Sequence, residues 1–491
     1  MCKRPGLLLS IFVLCISALI VTFGVVDVEL ESGSHFGLGL PAQVPLLFST
    51  IFAALVGAFY LKISWKDLEK GMSGAIQVSI QAIVILILVG CLVGSWIQSG
   101  VVATMIYYGL EVMSPKYFYL ASLIISVVVA LATGCCWTTS STVGVALIGI
   151  SAGLGLPLPI TAGFVISGAY FGDKISPLSD TTNLAPAVSG SELFEHVRAM
   201  MTTTLPTLAI TAVIAFMMGN SSDGSDGGRI ALIQDMMTSE FNISFWAFIP
   251  PLIILTMASM KISAIPGIVA GIMGSIVLAV CRGSTAHEAL EVLFSGYVPV
   301  HFSEFVSLGE SQATVANLLT QLFTRGGMTS MLETVCLIVV ALSLGGIMEV
   351  CGFLDVILDS LMRHVKSVAG LIGSVLVSAF MANVFLSEQY LSIIVPGRMF
   401  KRAFDERTFK DKKTNVERKL APVMLSRSLE DSGTMTSVLV PWNTCGVYVS
   451  SVLGVATLDY LPYCFMNWLN PIVAFILTAV GIGIIWRKDE E

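Results

Sequence analysis

Charge is what this chain has least of. Asp, Glu, Lys and Arg make up 12% of its 491 residues, about half the share in a soluble globular protein, which excludes a domain with a solvated, charged surface. The net charge of -7 gives no overall attraction for nucleic acid, and no nucleic-acid partner is expected. Histidine is rarer still. His35, His196, His287, His301 and His364 fall at expected loops and helix ends, weak ground for pH sensing. The ten cysteines (Cys2, Cys15, Cys91, Cys135, Cys136, Cys281, Cys336, Cys351, Cys445, Cys464) show no metal-ligand spacing and lie mostly in or beside apolar runs, so they read as small buried hydrophobes. Neither a resident cofactor nor an enzymatic activity is expected.

What the chain has instead is long apolar runs, with 55% of residues hydrophobic. A membrane-crossing helix needs about 20 such residues, and the runs fall into two sets. In the first, residues 7 to 26, 42 to 61 and 80 to 97 cross, followed by an amphipathic piece, 99 to 113. Two apolar arms, 117 to 132 and 142 to 152, flank the polar tip Thr133 to Ser141 and predict a re-entrant hairpin. A broken helix from Ile160 and a crossing at 204 to 219 complete the set. The second set has crossings at 243 to 259, 264 to 281 and 332 to 350, an amphipathic piece at 353 to 364, arms at 368 to 381 and 389 to 399 around the tip Ala382 to Glu388, an interrupted helix at about 421 to 456, and a last crossing at 468 to 486.

The distribution of bases sets the orientation, because Lys and Arg near span ends stay inside. Lys3 and Arg4, Lys62 to Lys70, Arg363 to Lys366, the run Lys401 to Lys419, and Arg487 and Lys488 all mark the cytoplasm. Both termini are therefore expected there, in the cytoplasmic membrane. Opposite directions follow for the two sets, an inverted repeat: residues 1–222 with hairpin 117–152, an extracytoplasmic linker at 223–242, and residues 243–491 with hairpin 368–399. A shift of 252 residues superposes Gly100 on Gly352, Ser122 on Ser374, Ser126 on Ser378, Ala130 on Ala382 and Ser140 on Ser392. The fold class expected is an all-α polytopic inverted-repeat transporter with about ten transmembrane helices, two re-entrant hairpins and two discontinuous helices.

The segment Gly168 to Asn183 carries two carboxylates, Pro177 and several hydroxyl and amide side chains directly after an apolar helix. Such groups at membrane depth usually line a water-filled path for an ion or substrate. Pro177 removes a backbone donor and frees carbonyls to turn toward a small cation. Hard cations such as Na+ prefer oxygen, so the candidates are oxygen-bearing groups at the two tips and the two breaks. In the first half they are Asp173, Ser176, Ser179, Asp180, Thr181, Thr182 and Asn183, with Thr138, Thr139, Ser140 and Ser141; in the second, Asn383, Ser387, Glu388, Glu430, Asp431, Ser432, Thr434, Thr436 and Asn443. Asp180, Asp173, Thr182 and Glu388 are the candidate Na+ ligands. A carboxylate that takes Na+ or H+, but not both, exchanges them when it faces each side in turn. A lone intramembrane hydroxyl more often bonds its own helix, and Asp173 could simply pair with adjacent Lys174. A channel and an intramembrane aspartyl protease are less favoured.

The stretch from Ala132 to Pro186 resembles the NhaC family of Na+/H+ antiporters, most specifically over Ser167-Gly168-Ala169-Tyr170-Phe171-Gly172-Asp173-Lys174-Ile175-Ser176-Pro177-Leu178-Ser179-Asp180-Thr181-Thr182-Asn183. A looser match covers Ser426 to Gly454. The resemblance implies a secondary active transporter exchanging Na+ for H+ by alternating access. Because the family also holds exchangers coupling these ions to malate or lactate, a small-carboxylate exchanger is the alternative. Where the family commonly has Thr-Ser-Trp-Gly at the first tip, this chain has Cys135-Cys136-Trp137-Thr138. The partners expected are Na+, H+ and the lipid bilayer, with small carboxylates and a homodimer left open.

Overall fold

The computed structural model describes residues 4–25, 27–29, 35–220, 227–260, 262–305, 310–363, 365–410 and 415–487. Among the described residues two short antiparallel ribbons occur, Asp27–Glu29 with His35–Gly37 and Thr408–Lys410 with Glu417–Lys419, with isolated bridges at Tyr297–Arg325 and Leu420–Trp486; the rest of the regular structure there is helical. Eight helices among the described residues are long and apolar enough to cross a membrane: Leu7–Val25, Gln43–Tyr60, Ile80–Gln98, Pro115–Thr133, Leu193–Asn220, Ala264–Cys281, Thr329–Val350 and Val368–Leu386. Two bent pairs, Gly228–Glu240 with Phe245–Ala258 at 86° and Thr444–Leu453 with Thr457–Tyr463 at 91°, raise the number to ten if each is one span. Outward faces carry exposed apolar side chains such as Phe48, Val128, Val213 and Val277. That surface suits lipid.

Each expected hairpin is a pair of helices closed by one left-handed residue. Pro115–Thr133 turns at Gly134 (φ 66°) into a helical arm over 136–153, and Val368–Leu386 turns at Ser387 (φ 58°) into Gln389–Glu406. Both tips are shorter than the polar composition predicts. Thr138 to Ser141 lie in the second arm, where Thr139, Ser140, Ser141 and Thr142 each hydroxyl-bond a carbonyl three or four residues back. Side chains that satisfy themselves on the helix need no loop. Asn383 is likewise helical.

Each hairpin precedes a broken helix. The first is Leu158–Ile175 and Asp180–Ser189, interrupted at 176–179. The second runs through Pro422–Leu429, a π-helical turn at Glu430–Thr434 and Met435–Ser437, then resumes as Thr444–Leu453. The first broken helix packs tightly on Pro115–Thr133. A Cβ on Gly168 would run into the Leu123 carbonyl oxygen, and one on Gly172 into the Ala130 side chain. Glycines four residues apart let the two backbones approach closely, as in other membrane helix pairs.

Three expectations are corrected. Most of the linker at 223–242 is the helix Gly227–Glu240, because Ile233, Met236 and Met237 recur on one buried face; residues 223–226 lie outside the described residues. His196 stands in the first turn of Leu193–Asn220, the helix end expected for it, and is fully buried there; His364 lies outside the described residues. Cys15, Cys281 and Cys336 are exposed on outer helix faces, where a thiol is apolar enough for lipid, and Cys2 lies outside the described residues. The last helix, Phe465–Ala479, ends short of 486 because Gly481 and Gly483 adopt positive φ.

Candidate functional site

Tip and break are docked together in each half. At the first, Gly134 abuts Leu178 and Ser179, so closely that a Cβ there would lie 2.7 Å from the Leu178 side chain, and the Ser176 hydroxyl donates to the Leu131 carbonyl at 3.0 Å. Thr182 donates to the carbonyls of Asp173 and Lys174, and Asn183 to those of Pro177 and Ser179. These side chains therefore close the break on itself. At the second, Asn443 donates to the Asn383 side chain and carbonyl, Asn383 to the Gly433 carbonyl and Thr436, and Trp442 to the Val384 carbonyl. Thr444 N–H donates to the Ser387 carbonyl.

Residues of both halves line a cavity of about 610 Å3. Its wall joins the first tip (Gly134 to Thr138), the first break (Asp173, Leu178 to Thr181) and the second tip (Glu388, Gln389, Tyr390). Three carboxylates converge there. Asp173 is buried beside Cys136 and Ser179, Asp180 is exposed at the first position of its helix, and Glu388 is buried with one oxygen accepting the Tyr390 and Leu391 amides. Glu388 thus caps the helix it precedes. No Lys, Arg or His lines this wall among the described residues. Behind it, Trp137 stacks on Tyr448 at 4.0 Å between ring centroids, and the Tyr448 hydroxyl donates to the Trp137 carbonyl.

The remaining acids lie elsewhere. Asp431 does not line the cavity. One of its oxygens takes Lys174 at 2.5 Å, Thr203 at 2.8 Å and Asn470 at 2.9 Å, while Arg427 approaches the other at 3.5 Å. All four partners, two cations, an amide and a hydroxyl, are buried. Lys174 is therefore bound to the second broken helix and not to its neighbour Asp173. Glu430 is wholly buried, and neither its oxygens nor the Thr434 hydroxyl forms a hydrogen bond. Of the sequence candidates, the cavity gathers Asp173, Ser179, Asp180, Thr181, Glu388 and Thr138. Ser176, Thr182, Asn183, Thr139, Ser140, Ser432, Thr436, Asn383 and Asn443 instead hold backbone and neighbouring side chains in place.

Sequence reasoning missed Arg427, Thr203, Asn470, Gln389, Tyr390 and the Trp137–Tyr448 stack. Arg427 had a readable signal: it stands four residues before Asp431 in an apolar context, the spacing of a helical ion pair. The others had none, since only packing brings them in.

Residues 168–482 match the Na+/H+ antiporter family. The chain is 36% identical over 451 residues to a protein of Alkalihalophilus pseudofirmus named Na(+)/H(+) antiporter NhaC, covering 92% of this chain and 93% of that one. It is 36% identical over 457 residues to the malate-2H(+)/Na(+)-lactate antiporter of Bacillus subtilis, with 92% of each covered. It is also 34% identical over 459 residues to the arginine/ornithine antiporter ArcD of Halobacterium salinarum, covering 92% and 90%. With the family matched over more than half its length and such relatives spanning nearly all of it, this helical membrane protein belongs to the Na+/H+ antiporter family.

Proposed function

We propose that the protein exchanges Na+ for H+ across the cytoplasmic membrane by alternating access, with Asp173, Asp180 and Glu388 binding Na+ or protons in competition. The observation that carries this reading is the cavity in which the first break and the second hairpin tip present three carboxylates beside the first tip and, among the described residues, no base. Such a wall attracts a small cation and supplies oxygen ligands from carboxylates and from Ser179 and Thr181. A proton on any of these acids removes a ligand and its charge. Competition is the consequence.

The inverted-repeat plan is part of the same proposal. It is supported by the order of hairpin then broken helix in both halves, and by Gly100 and Gly352, which stand 252 residues apart and both adopt positive φ (75° and 68°) just after a long apolar helix. Transporters of this plan bind substrate where the halves meet.

The relative named for malate and lactate makes carboxylate exchange the second reading. Two features disfavour it here. A carboxylate would meet three acids, and the helix N-terminus at Gln389 is already occupied by Glu388. Proteoliposomes decide the matter: an imposed Na+ gradient should move protons without malate or lactate, with half-saturation for Na+ rising as pH falls. Asp180→Asn should abolish that flux in protein that still inserts. Proton movement that requires the carboxylate would replace this reading with the other, and wild-type flux in Asp180→Asn would remove Asp180 from the site.

A further inference from the structure

We infer that Glu430 carries a proton of its own in the transport cycle, at a site that takes protons only and lies apart from the acid-lined cavity. The inference rests on the antiporter reading above. Glu430 opens the π-helical turn of the second broken helix, where the widened turn points its side chain into the protein. It has no exposed surface, and neither oxygen accepts a hydrogen bond. A buried carboxylate without donors is costly as an anion. In the arrangement seen here the neutral acid is the form the surroundings accept.

The charges around it allow the other form too. The Thr434 hydroxyl, one turn on, is the nearest donor, close to Glu430 but not bonded to it; Lys174 and Asp173 face the acid from the first broken helix, and Asp431 from its own. Arg427, one turn back, and His196, from the helix Leu193–Asn220, complete the cluster. The other packed helices bring neutral Ser392 and Asn470. Lys174 and Arg427 against Asp431 leave one positive charge in excess. Loss of the Glu430 proton makes the cluster neutral, so a rearrangement that admits water or a donor lets the acid ionise without stranding a net charge. Asp173 belongs to the cavity and is compensated there by Na+ or a proton.

Na+ is excluded by the same neighbours. A hard cation needs several oxygens around it, about six; the unbonded oxygens here are those of the Glu430 carboxyl, Asp431 Oδ2, the Thr434 hydroxyl and the Asn470 amide, and the Lys174 ammonium and Arg427 guanidinium beside them repel a further cation. A proton needs one oxygen. In the cycle, Glu430 as the neutral acid releases H+ to water when the cluster opens to one aqueous face and takes H+ from the other face before it returns. The Lys174–Asp431 pair stays made throughout.

The full-length protein in proteoliposomes tests this through its coupling ratio, read from the membrane potential at which Na+-driven proton flux reverses. More than one proton per Na+ is expected for the wild type. Glu430→Gln should retain Na+/Na+ exchange and proton-coupled exchange, with the ratio lowered by one proton and the reversal potential shifted accordingly, and Glu430→Asp should keep the wild-type ratio. A wild-type ratio of one overturns the inference, whether or not the variants insert. An unchanged ratio in Glu430→Gln overturns it as well, as does His196→Gln lowering the ratio in its place. Absence of any Na+-dependent proton movement in the wild type would instead sink the antiporter reading, so the two failures are distinguishable.

Discussion

Lys174 and Asp431 are separated by 257 positions in sequence and by 2.5 Å in space. Removing one member of a buried pair leaves an uncompensated charge and typically costs about 3–5 kcal/mol, whereas replacing both by apolar groups is often neutral. Lys174→Met should therefore lower the melting temperature of the detergent-solubilised protein by several degrees, and adding Asp431→Leu should restore most of it. Equal melting of Lys174→Met and wild type would show that Thr203 and Asn470 suffice to hold Asp431. This contact also marks how far single residues could be read. An ammonium next to Asp173 in the chain is its natural suitor on paper, yet a helix turns successive side chains about 100° apart. Lys174 points to the second broken helix while Asp173 points to the cavity. Asp173, Asp180 and Glu388 were legible because acids in apolar sequence are costly wherever they fall; their three-way meeting was not.

The close pair formed by Leu158–Ile175 and Pro115–Thr133 depends on Gly168 and Gly172. Gly172→Val should wedge these helices apart, reducing folded protein in the membrane severalfold and removing transport with it; normal yield would mean the pair can shift without loss. After the crossing Ala264–Cys281, helix Ala286–Ser295 begins with a capping box in which Thr285 and Glu288 serve each other's backbone amides. Those bonds hold the Glu288 carboxyl below its ordinary range. A carboxyl depressed in the folded state stabilises above the ordinary range, and its contribution is lost as pH falls through the folded value. Amide exchange in the first turn of this helix should accelerate as pH drops below about 4.3, after correction for intrinsic rates, and Thr285→Ala should abolish that dependence. Most helices were legible because apolar length alone marks a span. The hairpin tips were misjudged because Thr138 to Ser141 look like a loop by composition but satisfy their hydroxyls along the helix. Helix Gly227–Glu240 was hidden behind the Ser, Gly and Asp run that precedes it.

At the scale of the whole molecule, the basic ribbon Thr408–Lys410 and the acidic helix Gly227–Glu240 should lie on opposite sides of the membrane. A membrane-impermeant thiol reagent applied outside intact cells, with the native exposed cysteines replaced, should label Asp235→Cys and spare Lys410→Cys; the reverse pattern would invert the orientation. The run of bases after the second hairpin made that expectation readable in advance. What no run of residues could convey is that the second tip leans across to the first break, since that depends on how the halves pack. The clasp between Leu158–Ile175 and Glu430–Thr434 has a mechanical corollary. Parting it at every turnover would mean climbing at least the several kcal/mol that a stranded inner charge demands, whereas the acid-lined cavity leaves open space between the first break and the second tip. The halves should then swing as a door does, with Lys174 and Asp431 near the hinge pin and the acid-lined gap on the side that moves.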